Sequence, residues 1–117
     1  MGLALYGRSW ELQNLKTHSF GAIAIGPGPG AGMLFYHQVE TLLNQSGATV
    51  VYDMDTVFVY LYNGSTWVSY DDAFTTAAKI GFAQALGLRG YFFWALSFDS
   101  DWKISAQGKL THFSMII

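Results

Sequence analysis

Two short unbroken apolar runs stand near the ends of the chain, residues 2–6 closed by Gly7 and residues 90–96 (Gly-Tyr-Phe-Phe-Trp-Ala-Leu). Apolar character without alternation is expected of strands buried on both faces, as in parallel sheets and barrels. Two such strands cannot cover each other's two faces, so the pattern predicts further partners. Between them, Ala22-Ile23-Ala24-Ile25 predicts a strand that stops at Gly26-Pro27-Gly28-Pro29-Gly30-Ala31-Gly32, a loop in which proline removes ladder donors. Residues 37–43 have helical composition without a breaker, and Ser46-Gly47 follows as a stop. Val50-Val51-Tyr52 and residues 56–62 are rich in β-branched and aromatic side chains, so both predict strands. Asn63-Gly64 is a two-residue hairpin signal that returns the chain as Thr66-Trp67-Val68-Ser69-Tyr70.

The clearest helix follows. Asp71 and Asp72 stand where an N-cap and a first-turn carboxylate belong, and Gly87 stands where a C′ glycine belongs. Phe74, Ala78, Phe82 and Ala85 fall on one face between them. Helix, then Gly87-Leu88-Arg89-Gly90, then an apolar strand is the α-loop-β unit of a parallel sheet. Periodicity is lost after Trp102, and the apolar run from Thr111 to Ile117 carries no turn or cap, as expected of a disordered or adhesive tail.

Composition changes this picture in one respect. Charged residues make up 12% of the chain against about 25% in ordinary domains, while 51% is hydrophobic and 17% aromatic. A small domain has much surface to cover with polar groups, so apolar faces here are expected to meet more protein or a second copy. At 117 residues the chain suits one domain and falls short of the about 250 residues of a (β/α)8 barrel. With a net charge of −2 and scattered Lys and Arg, nucleic acid is not an expected partner. No apolar stretch reaches the roughly 18 residues of a membrane span, and the first apolar run is shorter than a secretory core. The absence of cysteine excludes disulfides and thiolate-ligated zinc. His18, His37 and His112 lack metal-site spacing, and the Gly-Pro loop lacks the donors and the lysine of a phosphate cradle. Asn44-Gln45-Ser46 and Asn63-Gly64-Ser65 are glycosylation sequons, usable only in a secreted chain.

Five segments in order carry a resemblance: Tyr6-Gly7-Arg8-Ser9-Trp10, then Gly26-Pro27-Gly28-Pro29-Gly30 with Phe35-Tyr36, then Ala48-Thr49-Val50-Val51-Tyr52-Asp53, Trp67-Val68-Ser69-Tyr70-Asp71-Asp72 and residues 87–96. Together they resemble the C-terminal part of a glycoside hydrolase family 18 chitinase, and most of all the plant class V chitinases. The resemblance implies an α+β chain: a chitinase insertion domain flanked by the last two strands and one helix of an incomplete (β/α)8 barrel. It divides the chain into barrel strand seven (1–10), the insertion domain (11–70), barrel helix seven and strand eight (71–105), and a tail (106–117).

The family's catalytic Asp-x-x-Asp-x-Asp-x-Glu motif does not occur in this sequence, whose only glutamates are Glu11 and Glu40. Asp53-Met54-Asp55 is a lone Asp-x-Asp beside a strand end and is expected to form a turn. Family chemistry is substrate-assisted, with the Glu as acid and the sugar's N-acetyl group as nucleophile, an exception to the two-carboxylate scheme. No residue here is therefore assigned a catalytic role, and the chain alone is expected not to hydrolyse chitin. No cofactor is implied. The implied partners are chitin or N-acetylglucosamine oligomers, with either self-association or a missing barrel half beside them. Members of the family are often secreted or vacuolar.

What the resemblance leaves is sugar contact. Trp94 matches the tryptophan that floors the sugar site, although by residue type alone it reads equally as a core aromatic. Tyr6 and Arg8 match residues at the cleft mouth, and Arg8 by itself reads as a surface charge at a strand end. Where the family often has Tyr-x-Glu-Val, this chain has Tyr36-His37-Gln38-Val39, so Gln38 offers an amide in place of a carboxylate. Trp67 reads as a packing residue.

Overall fold

The structure, a computed structural model, describes residues 1–110, so the apolar run from Thr111 lies outside it. It is α+β, with two helices and two separate sheets. Strands β1 (Gly2–Ala4) and β8 (Phe92–Trp94) form a parallel pair in the register Gly2↔Phe92, Leu3↔Phe93, Ala4↔Trp94. The other six strands make a wholly antiparallel sheet: β2 (Tyr6–Leu12), β3 (Ala24–Pro27), β4 (Met33–Phe35), β5 (Thr49–Asp53), β6 (Phe58–Asn63) and β7 (Thr66–Tyr70). Helix α1 (Tyr36–Leu43) follows β4, and α2 (Ala73–Ala85) links β7 to the parallel pair.

The strand expected over residues 2–6 divides at Leu5. There the N–H donates to the Trp94 carbonyl at 2.8 Å, while the Leu5 carbonyl accepts from the Tyr36 N–H at 3.0 Å. One residue thus serves two elements, and the chain leaves the parallel pair for the large sheet. Tyr6 and Arg8 therefore lie on β2, whose edges pair with β3 and β4 on one side and β7 on the other. β2 runs close to β7 at Gly7, where a Cβ would stand 2.8 Å from the Ser69 carbonyl oxygen and 2.9 Å from Val68 Cγ1. Gly7→Ala is accordingly expected to cost about 1–3 kcal/mol, the usual penalty of overpacking. Urea unfolding of the variant checks this, with a lowered midpoint at unchanged slope as the expected result.

Several expected boundaries move for local reasons. β3 runs into Pro27, and Pro29–Gly32 forms a tight turn with Gly30 and Ala31 at positive φ. β6 begins at Phe58 rather than Thr56, because an Asx turn holds the chain after β5: the Asp55 N–H donates to Asp53 Oδ1 at 3.0 Å. The hairpin pairs Asn63 with Thr66, so Gly64 and Ser65 form its tip, one residue later than the Asn-Gly signal suggests. α2 is capped by Asp72, one residue later than expected, with the Thr75 N–H donating to Asp72 Oδ1 at 2.9 Å, and Gly87 is left-handed at φ 70° as a C′ glycine should be.

One core spans both sheets. Leu3, Leu5, Leu34, Tyr36, Val39, Val59, Leu61, Val68, Tyr70, Ile80, Tyr91, Phe93 and Ile104 form a single buried cluster. α1 covers one face of the large sheet through Tyr36 and Val39. α2 enters the core through Thr75, Thr76, Ile80 and Ala83, not through the Phe74–Phe82 stripe. Those two phenylalanines are 59% and 60% exposed, so the helix is apolar on both sides and tertiary contacts decide which side is buried. Phe92 and Trp94 likewise leave one face of the parallel pair open.

Candidate functional site

Strand alternation builds the site. On β8, Phe93 points into the core, so Phe92 and Trp94 point the other way. Trp94 is 64% exposed, and its peptide bond to Ala95 is cis. On β2, Gly7 and Ser9 face the buried side, which sends Tyr6, Arg8 and Trp10 to the opposite face. A cleft of about 270 Å³ lies between Trp94, Phe92, Ala4 and Tyr6. Tyr6 also borders a second cleft of about 180 Å³ lined by Arg8, Ser69, Tyr70, Asp71 and Lys79. The two clefts share one wall.

The Arg8 guanidinium carbon stands 5.6 Å from the Tyr6 ring centroid, a cation–π contact. Among the described residues Arg8 forms no ion pair, because the nearby carboxylate is otherwise engaged. Asp71 accepts from Lys79 Nζ at 2.7 and 2.8 Å and from Thr75 Oγ1 at 2.9 Å. Arg8 is therefore an exposed cation held by a ring and open to a ligand. Asp71, Thr75 and Lys79 were absent from the sequence-derived set. Their spacing of four residues, which aligns side chains on one helix face, is the signal that marks them as a group.

Trp94, Tyr6 and Arg8 thus meet in two adjoining clefts. Gln38 lines neither of them. It sits at the start of α1, and its Oε1 accepts the Phe35 N–H at 2.9 Å, which uses the amide oxygen as a helix cap. Its amide N–H₂ is the part left for a ligand.

Tyr70 lines the Arg8 cleft, and Tyr36 and Tyr52 interact with it electrostatically. Burial raises the Tyr70 phenol, with Tyr52, Asp72 and Tyr36 adding to the effect. Tyr36 is pushed up to about 12 by burial first, then by the charges of Glu40, Asp72 and Asp99. Tyr52 also rises to about 12, from burial and from the hydrogen bond its hydroxyl donates to Asp72. A phenol with a raised pKa in the fold favours the neutral form there, so its contribution is complete below the ordinary value of 10.0 and lost as pH climbs towards 12. Stability is expected to hold to about pH 9 and fall between about 10 and 12. Half-exposed Tyr52 contributes less than buried Tyr36, since solvent screens it. Urea midpoints across that range check the profile, and a flat line to pH 12 would contradict it.

Residues 1–99 match the family model described as "Glycosyl hydrolases family 18". The chain belongs to glycosyl hydrolase family 18. Among curated family 18 relatives it is 56% identical over 111 residues to Nod factor hydrolase protein 1 of Medicago truncatula, covering 93% of this chain and 29% of that protein. It is 52% identical to class V chitinase CHIT5b of the same plant, covering 92% of this chain and 29% of that protein. A class V chitinase mutant from Cycas revoluta, solved in complex with (GlcNAc)3, superposes with a TM-score of 0.87 at 36% identity, covering 94% of this chain and 33% of that one. The chain thus spans under a third of the length of these relatives.

Proposed function

We propose that the chain supplies the sugar-recognition part of a chitinase and binds β-1,4-linked N-acetylglucosamine oligomers. Trp94 is the stacking platform, Tyr6 and Arg8 are the polar wall, and the Gln38 amide lies at the margin. The observation that carries this is the open indole of Trp94 facing Tyr6 across one cleft, with the unpaired Arg8 next to it. An exposed indole between polar groups suits a pyranose, which has an apolar face and hydroxyls at its rim. Support comes from the family relationship and from the oligosaccharide complex of the Cycas protein. β1, β8 and α2 correspond on this proposal to barrel elements, and the six-stranded sheet with α1 to the insertion domain. Tyr6 and Arg8, assigned by the resemblance to barrel strand seven, pair with β4 and β7 of the large sheet.

The chain alone is proposed not to hydrolyse chitin, for want of the acid-bearing motif. Titrating chitotetraose while following tryptophan fluorescence, beside a chitinase assay of the same sample, tests both halves. Saturable binding without turnover is expected; a flat response at millimolar sugar would sink the proposal.

A second reading rests on the outer stripe of α2. Phe74, Phe82 and Leu86 are each about 60% exposed, and Leu88 follows at 40%. Such a surface favours docking, either of a second copy or of the remaining barrel elements of a chitin-hydrolysing enzyme. Sedimentation decides it, since a monomer of 12.9 kDa at high concentration counts against self-association.

A further inference from the structure

The six-stranded sheet ends differently on its two sides. At one edge, β3 contains Gly26 and Pro27, and its pairing with β2 slips between Glu11 and Leu12. Proline and an interrupted register keep a sheet edge from adding further strands. At the other edge β5 has neither. It pairs with β6 without a break from Thr49↔Tyr62 to Asp53↔Phe58, and among the described residues it pairs on that side alone. Its sequence, Thr49-Val50-Val51-Tyr52-Asp53, contains no proline, glycine or lysine. Thr49 is exposed, Val50 is 39% exposed and Tyr52 46%, so the outer row of backbone groups stands beside uncovered strand-forming side chains.

This edge is also held ready for a neighbour. The Tyr52 ring packs edge-on against Phe74 of α2 at 6.0 Å between centroids, and its hydroxyl donates to Asp72. The Asp55 N–H donates to Asp53 Oδ1 at 3.0 Å and fixes the end of the strand. An edge ordered in advance loses little freedom when another strand joins it.

We propose that β5 is a homodimer interface, at which a second copy of this chain adds its own β5 antiparallel in a register centred on Val51. The two six-stranded sheets then continue into each other across a two-fold axis. The sequence of the strand selects this occupant. In that register Val50 lies opposite Tyr52 of the second copy, a β-branched–aromatic pair of the kind that stabilises antiparallel ladders. Thr49 lies opposite Asp53, the one charged residue of the strand, so the two carboxylates stand at opposite ends of the junction and do not face each other. Asp53 uses Oδ1 in its own turn, and Oδ2 remains to accept the Thr49 hydroxyl. All five residues find a partner in this register, and every other symmetric register leaves part of the strand unpaired. The proposal is independent of the sugar reading and of the outer stripe of α2, whose Phe82 and Leu86 take no part in it.

The chain has no cysteine, so a single-cysteine variant carries one thiol. Directly opposed residues of an antiparallel pair lie about 4.5–5.5 Å apart at Cα, within the span of a disulfide. Thr49 and its counterpart are four residues out of register, about 13 Å along the strands, which is too far. Mild oxidation should therefore link Val51→Cys chains into dimers and leave Thr49→Cys chains unlinked. Sedimentation of the 117-residue wild-type chain should show a concentration-dependent equilibrium between monomer and dimer. Val51→Lys, which sets two ammonium groups face to face on the axis, should weaken that dimer about tenfold or more. The amide spectrum of each variant verifies that it folds. A wild-type chain that stays monomeric at millimolar concentration overturns the proposal. So does a dimer that folded Val51→Lys leaves unchanged, or one that Thr49→Cys links as readily as Val51→Cys, since association then runs through another surface or register.

Discussion

Replacing Trp94 with alanine is expected to weaken chitotetraose binding by about 30-fold or more, which for a weak site means loss of a measurable signal. The indole is 64% exposed in the Tyr6 cleft, against 42% for the Phe92 ring beside it. Arg8→Ala should cost less, because an exposed cation contributes through hydrogen bonds that water partly replaces. Trp94 is 64% exposed, so its removal leaves the core intact and the circular dichroism spectrum unchanged. Retained affinity in a folded Trp94→Ala chain would show that the sugar lies elsewhere.

The second large effect concerns stability. Leu61 is 1% exposed, in the β6 strand between β5 and β7, and belongs to the core cluster that joins both sheets. Leu61→Ala is expected to cost about 3 kcal/mol through lost transfer energy and the cavity left behind. In a domain of this size that lowers the melting temperature by roughly 12–24 °C. Differential scanning calorimetry reads it directly. A shift of only a few degrees would mean that the two sheets do not unfold as one cooperative unit.

Both effects depend on details that differ in how far the sequence announces them. The helix over α2 is legible from Asp72 and Gly87, because a cap and a C′ glycine act locally and need no tertiary partner. The β6–β7 hairpin is legible from Asn63-Gly64 for the same reason, with its tip displaced by one residue. What was not legible is decided by contacts between distant segments. The change of sheet at Leu5 depends on hydrogen bonds to Trp94 and Tyr36, far along the chain. Which stripe of α2 turns inward depends on the shared core that Ile80 joins, since the exposed stripe carries Phe74 and Phe82.

The site divides in the same way. Trp94, Tyr6 and Arg8 were nameable from their motifs, and alternation on β8 and β2 sets the side on which each projects. Asp71 seemed only a helix-start carboxylate; in the fold its bond with Lys79 is what leaves Arg8 unpaired. Gln38 was expected as a sugar contact; in the fold its amide oxygen also caps α1, which leaves its N–H₂ for a ligand. Trp67 was expected to pack, and it does so against Tyr60 while also lining a cavity with Trp10 and Phe20. Residue type alone cannot separate those two uses.

The measurement that tests the central claim most directly is a chitotetraose titration followed through the tryptophan indole N–H signals of the nitrogen-labelled chain. The chain has four tryptophans, so four such signals are expected, and Trp94→Phe assigns the one that matters. Sugar binding at the proposed site should shift the Trp94 indole signal and the Tyr6 and Arg8 amides saturably, with Trp102 unmoved. An unshifted Trp94 signal at millimolar sugar would contradict the account.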